Sequence, residues 1–291
     1  AVGNSESGYI VVNPENPNIV FSGGPGGMAT LLRYDHSTGQ VRNVAVWPES
    51  YLGWAAKDMK YRFQWTYPIH LSPNNPNVLY ATANVVFMSI NEGSSWEVIS
   101  GDLTRNDTTT LDISGGPITK DSAAAETYGT IFAFAESPHE KGVLWAGSDD
   151  GLVHISRDSG QHWTEITPKE IPEWTLISMI EISPHDPATA YIAATRYKLD
   201  DTRPFLYKTS DYGETWVDIS SGIPENVYTR VIREDPTRKG VLYVGTETGM
   251  YLSFDQGSSW HSMQGNLPRA PIYDFVVKDG DLVVATHGRS F

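Results

Sequence analysis

The chain has 291 residues, 40% of them hydrophobic and 11% aromatic, enough to bury a large core, and an all-β propeller or barrel of this length can be a single domain. Its formal charge of −14, unrelieved by any basic patch, sets the surface against phosphate backbones and anionic headgroups, so nucleic acid is not expected as a partner. The absence of cysteine removes disulfides, thiolate nucleophiles and cysteine zinc sites, and no apolar run approaches the roughly 18 residues of a membrane span, so no membrane insertion is expected.

Glycine, proline and tyrosine are abundant, which suits many short strands joined by tight turns. The start, Ala1-Val2-Gly3-Asn4, carries neither an initiator Met nor a signal peptide and reads as processed or truncated. The first unit, residues 5–60, has a proline turn at Asn13–Asn18 and a degenerate turn at Tyr34–Gly39. The second, 61–125, introduces the octapeptide Ser89–Trp96 (SINEGSSW). The pattern S/T-x-D/N-x-G-x-S/T/H-W recurs at Ser156–Trp163 in unit 126–172, Thr209–Trp216 in unit 173–224 and Ser253–Trp260 in unit 225–270. A sixth, incomplete unit occupies 271–291.

Each octapeptide follows two apolar strands joined by a proline turn, as in Ile180–Tyr191. A unit therefore reads strand a, proline turn, strand b, loop, strand c, octapeptide turn, strand d: a four-stranded antiparallel blade, and the chain an all-β propeller of about five blades plus part of a sixth. Insertions at 101–125 and 197–204 read as loops. In the octapeptide, Asn91, Asp158, Asp211 and Asp255 can accept backbone N–H groups, Gly supplies a positive φ, and Trp96, Trp163, Trp216 and Trp260 offer rings for packing on a neighbouring blade. These positions are expected to be structural.

With this strand order the d-to-a and b-to-c loops share one face, opposite the octapeptide turns, and ligands are expected there. Aligning the units by their proline turns puts Arg62, Gln64, Trp65, Glu126, Tyr128, Glu173, Trp174, Tyr228, Arg230 and Tyr273 before successive inner strands, while the b-to-c loops add Ser148-Asp149-Asp150, Thr246-Glu247-Thr248 and His287-Gly288-Arg289. Such an aromatic ring can stack sugar faces or grip an extended peptide; alternatively it plugs the channel mouth and packs on itself. Glycoside hydrolysis takes two carboxylates, and Glu126 with Asp149 or Asp150 are the catalytic candidates, Glu247 the reserve. No cofactor is expected. Asp149-Asp150 or Asp200-Asp201 can hold Ca²⁺ in principle, but solvated acidic loops are the expectation. The eight histidines show no paired metal spacing, and His139 and His185 are expected at the surface of proline turns.

The octapeptides resemble those of Asp-box, or BNR-repeat, proteins, a group that includes sialidases, sortilin-type receptors and tandem-propeller endoglucanases acting on xyloglucan. More closely, Tyr61–Trp65, Ser100–Thr104, Trp145–Gly151 and Thr286–Phe291 resemble the second half of large bacterial secreted sortilin-like or BNR-repeat glycosyl hydrolase proteins. The resemblance implies seven blades per propeller, a secreted, periplasmic or cell-surface location, and relatives longer than this chain. It also implies, for the endoglucanases, one catalytic acid from each of two propellers. The cysteine-rich segment of sortilin-type receptors is absent, and the arginine triad and Tyr/Glu pair of sialidases do not map onto these units. The expected function is a module binding polypeptide or glycan through the loop face, with a glycoside hydrolase or a scaffold subunit as alternatives. A missing propeller or a partner chain is expected to complete the last blade.

Overall fold

A computed structural model of the chain describes residues 8–23, 30–121, 123, 127–265 and 267–288. These form a β-propeller. Sheet 1 consists of β1 (Ile10–Val12), β2 (Ile19–Gly23), β3 (Leu31–Asp35) and β4 (Gln40–Asn43). Sheet 2 comprises β5 (Ile69–Leu71), β6 (Leu79–Thr82), β7 (Val86–Ser89) and β8 (Glu97–Val98). A small hairpin, β9 (Ser114–Gly115) and β10 (Lys120–Asp121), rises from the first insertion. Sheet 3 follows with β11 (Ile131–Glu136), β12 (Leu144–Ser148), β13 (Val153–Ser156) and β14 (Thr164–Glu165). Sheet 4 has β15 (Leu176–Ile182), β16 (Ala190–Arg196), β17 (Asp201–Thr209) and β18 (Val217–Asp218). Sheet 5 has β19 (Thr229–Glu234), β20 (Leu242–Thr246), β21 (Met250–Ser253) and β22 (His261–Ser262). Sheet 6 holds β23 (Ile272–Lys278) and β24 (Asp281–Thr286). Sheets 1 to 5 are antiparallel and paired in chain order, and the inner strands β11, β15, β19 and β23 pack one on the next.

The second strand of each of the first five sheets is almost wholly buried, because it is sandwiched between neighbouring sheets, while the outer strands β8, β14, β18 and β22 are exposed two-residue pieces. Apolar clusters fill the spaces between sheets. One packs Phe21 and Leu31 of sheet 1 on Leu79 and Phe87 of sheet 2 and on Phe63 in the loop before it; another joins Trp145 and Val153 of sheet 3 to Ile177 and Ile192 of sheet 4.

The octapeptide turns lock the sheets together in series. In each, the opening Ser or Thr hydroxyl donates to the Asn or Asp carboxamide or carboxylate at 2.7–3.0 Å and accepts the Gly N–H at 2.8–2.9 Å. The same Asn or Asp oxygen accepts the N–H of the seventh residue at 2.9 Å. The His162 N–H and ring hold the Asp158 carboxyl down at about 2, and the Ser259 hydroxyl, with the Ser253 hydroxyl and the Ser259 N–H, does the same for Asp255. The closing Trp comes just before the outer strand and reaches the preceding sheet. Trp96, Trp163, Trp216 and Trp260 donate their indole N–H groups to the carbonyls of Val44, Ile99, Ile166 and Ile219 at 3.1, 2.9, 2.7 and 2.6 Å. The turn glycines are required twice over. Gly160, at φ +90°, lies so close to sheet 2 that a Cβ would sit 2.6 Å from the Ile99 carbonyl oxygen.

The proline turns form a second series. Ser72, Ser137 and Asp235 accept two backbone N–H groups each from the turn that follows them. Asn74, His139 and His185 then reach the carbonyls of Ser137, Ser183 and Asp235 on the next sheet at 2.8, 3.0 and 2.7 Å. His139 is exposed as expected, but both histidines bridge sheets rather than lying idle at the surface.

The second insertion is not a plain loop. β17 begins at Asp201, which pairs with Arg196, so 197–204 extends the β16–β17 hairpin around one turn of 3₁₀ helix at Tyr197–Leu199. Asp200, left-handed at φ +59°, closes that turn, and Asp201 is held by Arg203 at 2.8 Å and Arg196 at 3.6 Å. Asp200-Asp201 is thereby a hairpin tip rather than a free acidic pair. Among the described residues, no helix is long and apolar enough to cross a membrane.

Candidate functional site

Four inner strands share a defect at the same place. The pairing of strand a with strand b slips between Ile131 and Ala133, Ile177 and Met179, Thr229 and Val231, and Ile272 and Asp274. The extra residues are Phe132, Ser178, Arg230 and Tyr273, all at the loop-face end. A bulge inserts one residue and re-aims its side chain. Arg230 and Tyr273 thus lie inside their strands, not ahead of them as the alignment of proline turns suggested, and Phe132, which the sequence did not single out, lines the cleft described next.

That cleft, about 240 Å³, is formed by the d-to-a loops of sheets 2, 3 and 4 and the tip of the β16–β17 hairpin. Its walls include Tyr128, Phe132, Trp174 and Tyr197, with Gln64, Asp149 and Arg196 supplying polar groups. Trp174 adopts φ +62°, a left-handed backbone that costs a bulky residue on the order of 1–3 kcal/mol. Close packing maintains it: Gly151 leaves room for the Trp174-Thr175 backbone, and the Arg105 guanidinium lies 5.0 Å from the Trp174 ring centroid.

Asp149 and Asp150 underlie this cleft. Asp149 is buried, its two oxygens taken by the Thr130 N–H and O–H at 2.8 Å each, and burial, reinforced by the neighbouring Asp150 charge, pushes its carboxyl up to about 7. Asp150 is also buried; it accepts the Ser148 hydroxyl at 2.5 Å and the Arg105 N–H at 2.9 Å, fastening the first insertion to sheet 3, and burial raises its carboxyl too. Burial raises the Tyr128 phenol, with Asp149 and Asp150 adding to the shift.

Arg62 does not present itself to the cleft. Its side chain is 5% exposed and donates to the Gly129 carbonyl at 2.9 Å, Asn106 at 3.1 Å, and Asp102 and Thr104 at 2.8 Å each. It clamps the first insertion to sheets 2 and 3. Trp65 is half-buried, and Glu126 and Arg289 lie outside the described residues.

A second group adjoins the cleft through Tyr197, whose ring stacks on Tyr228 at 4.9 Å. Arg230 sits among the rings of Tyr197, Tyr228 and Tyr273 at 5.3, 5.0 and 4.2 Å, and its guanidinium is paired with Glu247 at 2.7 Å. Tyr273 stacks on His287 at 4.8 Å. Five of the residues expected on the loop face, Tyr228, Arg230, Glu247, Tyr273 and His287, therefore meet in one cluster. Tyr197 was hidden from sequence reasoning because it lies in an insertion that no other unit shares; the signal available was an aromatic residue at the tip of a b-to-c connection.

A wider groove of about 1000 Å³ runs along the rim between the outer strands of sheets 2 and 3, with His154, His162 and Trp163 among its walls. It is open to solvent and lacks converging aromatic faces, so the smaller loop-face cleft is the better candidate. Among the described residues, no group of three or more His, Asp or Glu side chains is placed to hold a metal ion.

No family model matches the chain. A probable oligoxyloglucan-reducing end-specific xyloglucanase of Neosartorya fischeri is 22% identical over 281 residues, which cover 89% of this chain and 32% of that enzyme. The chain thus spans about a third of the length of the curated relative it matches. Among solved structures, an ancestral GH74 enzyme superposes with a TM-score of 0.64 at 13% identity over 99% of this chain and 36% of the other. YCF48 from Cyanidioschyzon merolae gives 0.57 at 14% identity over 97% and 92%, and the GH74 xyloglucanase of Xanthomonas campestris 0.51 at 16% identity over 90% and 46%. These structures share the β-propeller fold.

Proposed function

We propose that this chain is an Asp-box propeller that binds glycan through its loop face, the cleft holding a sugar between Trp174 and Tyr197 and the Tyr228–Arg230–Tyr273 cluster continuing the surface. The reading rests on one observation above the rest: a bulky aromatic residue held in a costly left-handed backbone at the wall of an aromatic cleft that also carries an amide and a carboxyl group. The sequence similarity to a xyloglucanase supports glycan over polypeptide as the ligand, and with it a location outside the cytoplasm. Calorimetric titration with xyloglucan oligosaccharides, beside a panel of other plant and microbial glycans, tests it. Trp174→Ala should weaken binding about tenfold or more, the loss expected when an aromatic face worth roughly 1.5–3 kcal/mol is removed. Binding unchanged in Trp174→Ala, or none with any glycan, would sink the proposal.

A second reading, hydrolysis, is favoured by Asp149 alone. A carboxyl raised to about 7 keeps its proton up to near-neutral pH, where an ordinary Asp has lost it, as a general acid must. Asp150 is turned away to Arg105 and Ser148, so the other carboxylate of such a pair must come from elsewhere. Release of reducing ends by the wild type and its loss in Asp149→Asn, with binding retained, would support this reading; equal rates in the two would dismiss it.

A further inference from the structure

A polar residue recurs at the loop-face end of strand b, and in the sheet that walls the cleft it is left without a partner. Just before the slip, strand b pairs through Ser148 in sheet 3, Ala194 in sheet 4 and Thr246 in sheet 5, and the residues that follow are Asp149, Thr195 and Glu247. Asp149 accepts the N–H and O–H of Thr130, and Glu247 accepts the guanidinium of Arg230. In sheet 4 the place of Thr130 is held by Leu176, which lies opposite Thr195 and has no side-chain donor. Thr195 is 4% exposed and lines the cleft, yet its hydroxyl has no hydrogen-bond partner among the described residues. A buried hydroxyl costs stability until something pairs with it.

Two neighbours in the cleft are left as donors. Arg196 gives one N–H to the Glu173 carbonyl at 2.7 Å, but its buried Nε has no hydrogen-bond partner among the described residues, Asp201 lying 3.6 Å away. Gln64 commits its carbonyl oxygen to the Thr66 N–H and, at 2.9 Å, to the Thr66 hydroxyl, which leaves its amide hydrogens to donate. Arg196 is already paired with Asp201, and the Asp149 carboxyl lies in the same cleft, so an anionic group is not the match. A neutral oxygen that both accepts and donates fits this set.

We propose that the floor of the cleft reads one unsubstituted sugar hydroxyl through the Thr195 hydroxyl, with Arg196 and Gln64 as further donors, and that Thr195 sets this selectivity. The inference rests on the glycan reading of the cleft and narrows its substrate class to neutral sugars free at that hydroxyl. A substituent on the same oxygen would have to fit beside a threonine that is 4% exposed, and a sugar lacking the hydroxyl would leave Thr195 unpaired as before.

The test is calorimetric titration of the 291-residue protein with xyloglucan oligosaccharides and the other glycans of the panel, each also in fully O-methylated form, for wild type, Thr195→Val and Thr195→Ser. Valine keeps the branched shape and removes the hydroxyl. Thr195→Val should bind about 3- to 10-fold more weakly, the loss of one hydrogen bond, and Thr195→Ser should restore the affinity. The methylated sugars can still stack on aromatic rings but should bind about tenfold or more weakly. In the free protein Thr195→Val should melt no lower than wild type, because it has no hydrogen bond to lose; a hydroxyl that only supports the fold would lower it. Equal affinity of wild type and Thr195→Val, undiminished binding of the methylated sugars, or a lower melting temperature in Thr195→Val overturns the proposal. Trp174→Ala keeps the two readings apart: if it weakens binding and Thr195→Val does not, the glycan cleft stands and the hydroxyl reading falls, whereas a wild type that binds no glycan removes both.

Discussion

Replacing Gly160 by Ala separates two demands that the octapeptide turn places on its glycine. At φ +90° any side chain pays the left-handed strain of about 1–2 kcal/mol. The added methyl would also lie 2.6 Å from the Ile99 carbonyl oxygen and 2.9 Å from its Cβ, atoms fixed in the neighbouring sheet, which adds about 1–3 kcal/mol of overpacking. Displacing that carbonyl costs the Trp163 hydrogen bond, about 0.5–1.5 kcal/mol more. The sum is about 3–6 kcal/mol. Gly39, in the degenerate turn of sheet 1, is the control: φ is +69° but no atom lies within 4 Å, so Gly39→Ala should cost the strain of about 1–2 kcal/mol alone. Urea unfolding followed by tryptophan fluorescence gives both values. If the two substitutions shift the midpoint equally, the turn glycine is needed only for its backbone angle and the contact between sheets carries no weight.

Arg62→Met should destabilise the protein by about 1–3 kcal/mol, because it takes the buried donor from the Gly129 carbonyl and Thr104, while Asp102, exposed, keeps Asn84 and Thr104 as partners. Hydrogen exchange should report faster opening of residues 101–111, and unchanged exchange there would refute the clamp. Asp149 makes stability depend on pH. Its carboxyl is raised from 3.8 to about 7, so between those values the folded state keeps a proton that the unfolded chain has released. The stability tied to that proton is complete below about pH 4 and is lost as pH rises through 7, with a slope of at most about 1.4 kcal/mol per pH unit. Asp149→Asn should flatten the decline of urea midpoints between about pH 4 and 7. The remaining slope belongs in part to Glu181, which burial raises to about 7 against the pull of Arg233. Parallel profiles for wild type and variant would remove Asp149 from the account.

The blades were legible because the octapeptide needs particular residue types at fixed spacing, and each type answers to a local demand: a hydroxyl for the Gly N–H, a carboxylate for the seventh N–H, a glycine at positive φ. What the tryptophan touches was legible only as a neighbouring blade, since the carbonyl it meets lies 41 to 64 residues earlier in the chain. The site was harder for a different reason. Arg62 and Arg230 hold similar places ahead of or within an inner strand, yet Arg62 is consumed by the insertion that follows its sheet while Arg230 stays among tyrosine rings. No local pattern separates the two, because the difference is made by Asp102, Thr104 and Asn106, an insertion peculiar to one unit.

The bulges carry this one step further. A slip of one residue leaves no mark in an apolar strand, since the residues on either side of Ser178 or Arg230 remain hydrophobic or β-branched. Its effect is to set Phe132, Arg230 and Tyr273 at the loop face while Ile131, Thr229 and Ile272 beside them stay buried. The repeat therefore builds two things with one device. The regular register below the bulge lets the sheets stack through the same tryptophan locks, and the irregular residue above it differs from sheet to sheet. Chemistry at the loop face can change at Phe132, Arg230 and Tyr273 apart from the core, whereas Ser178 donates to the Arg230 carbonyl at 2.6 Å and so ties sheet 4 to sheet 5.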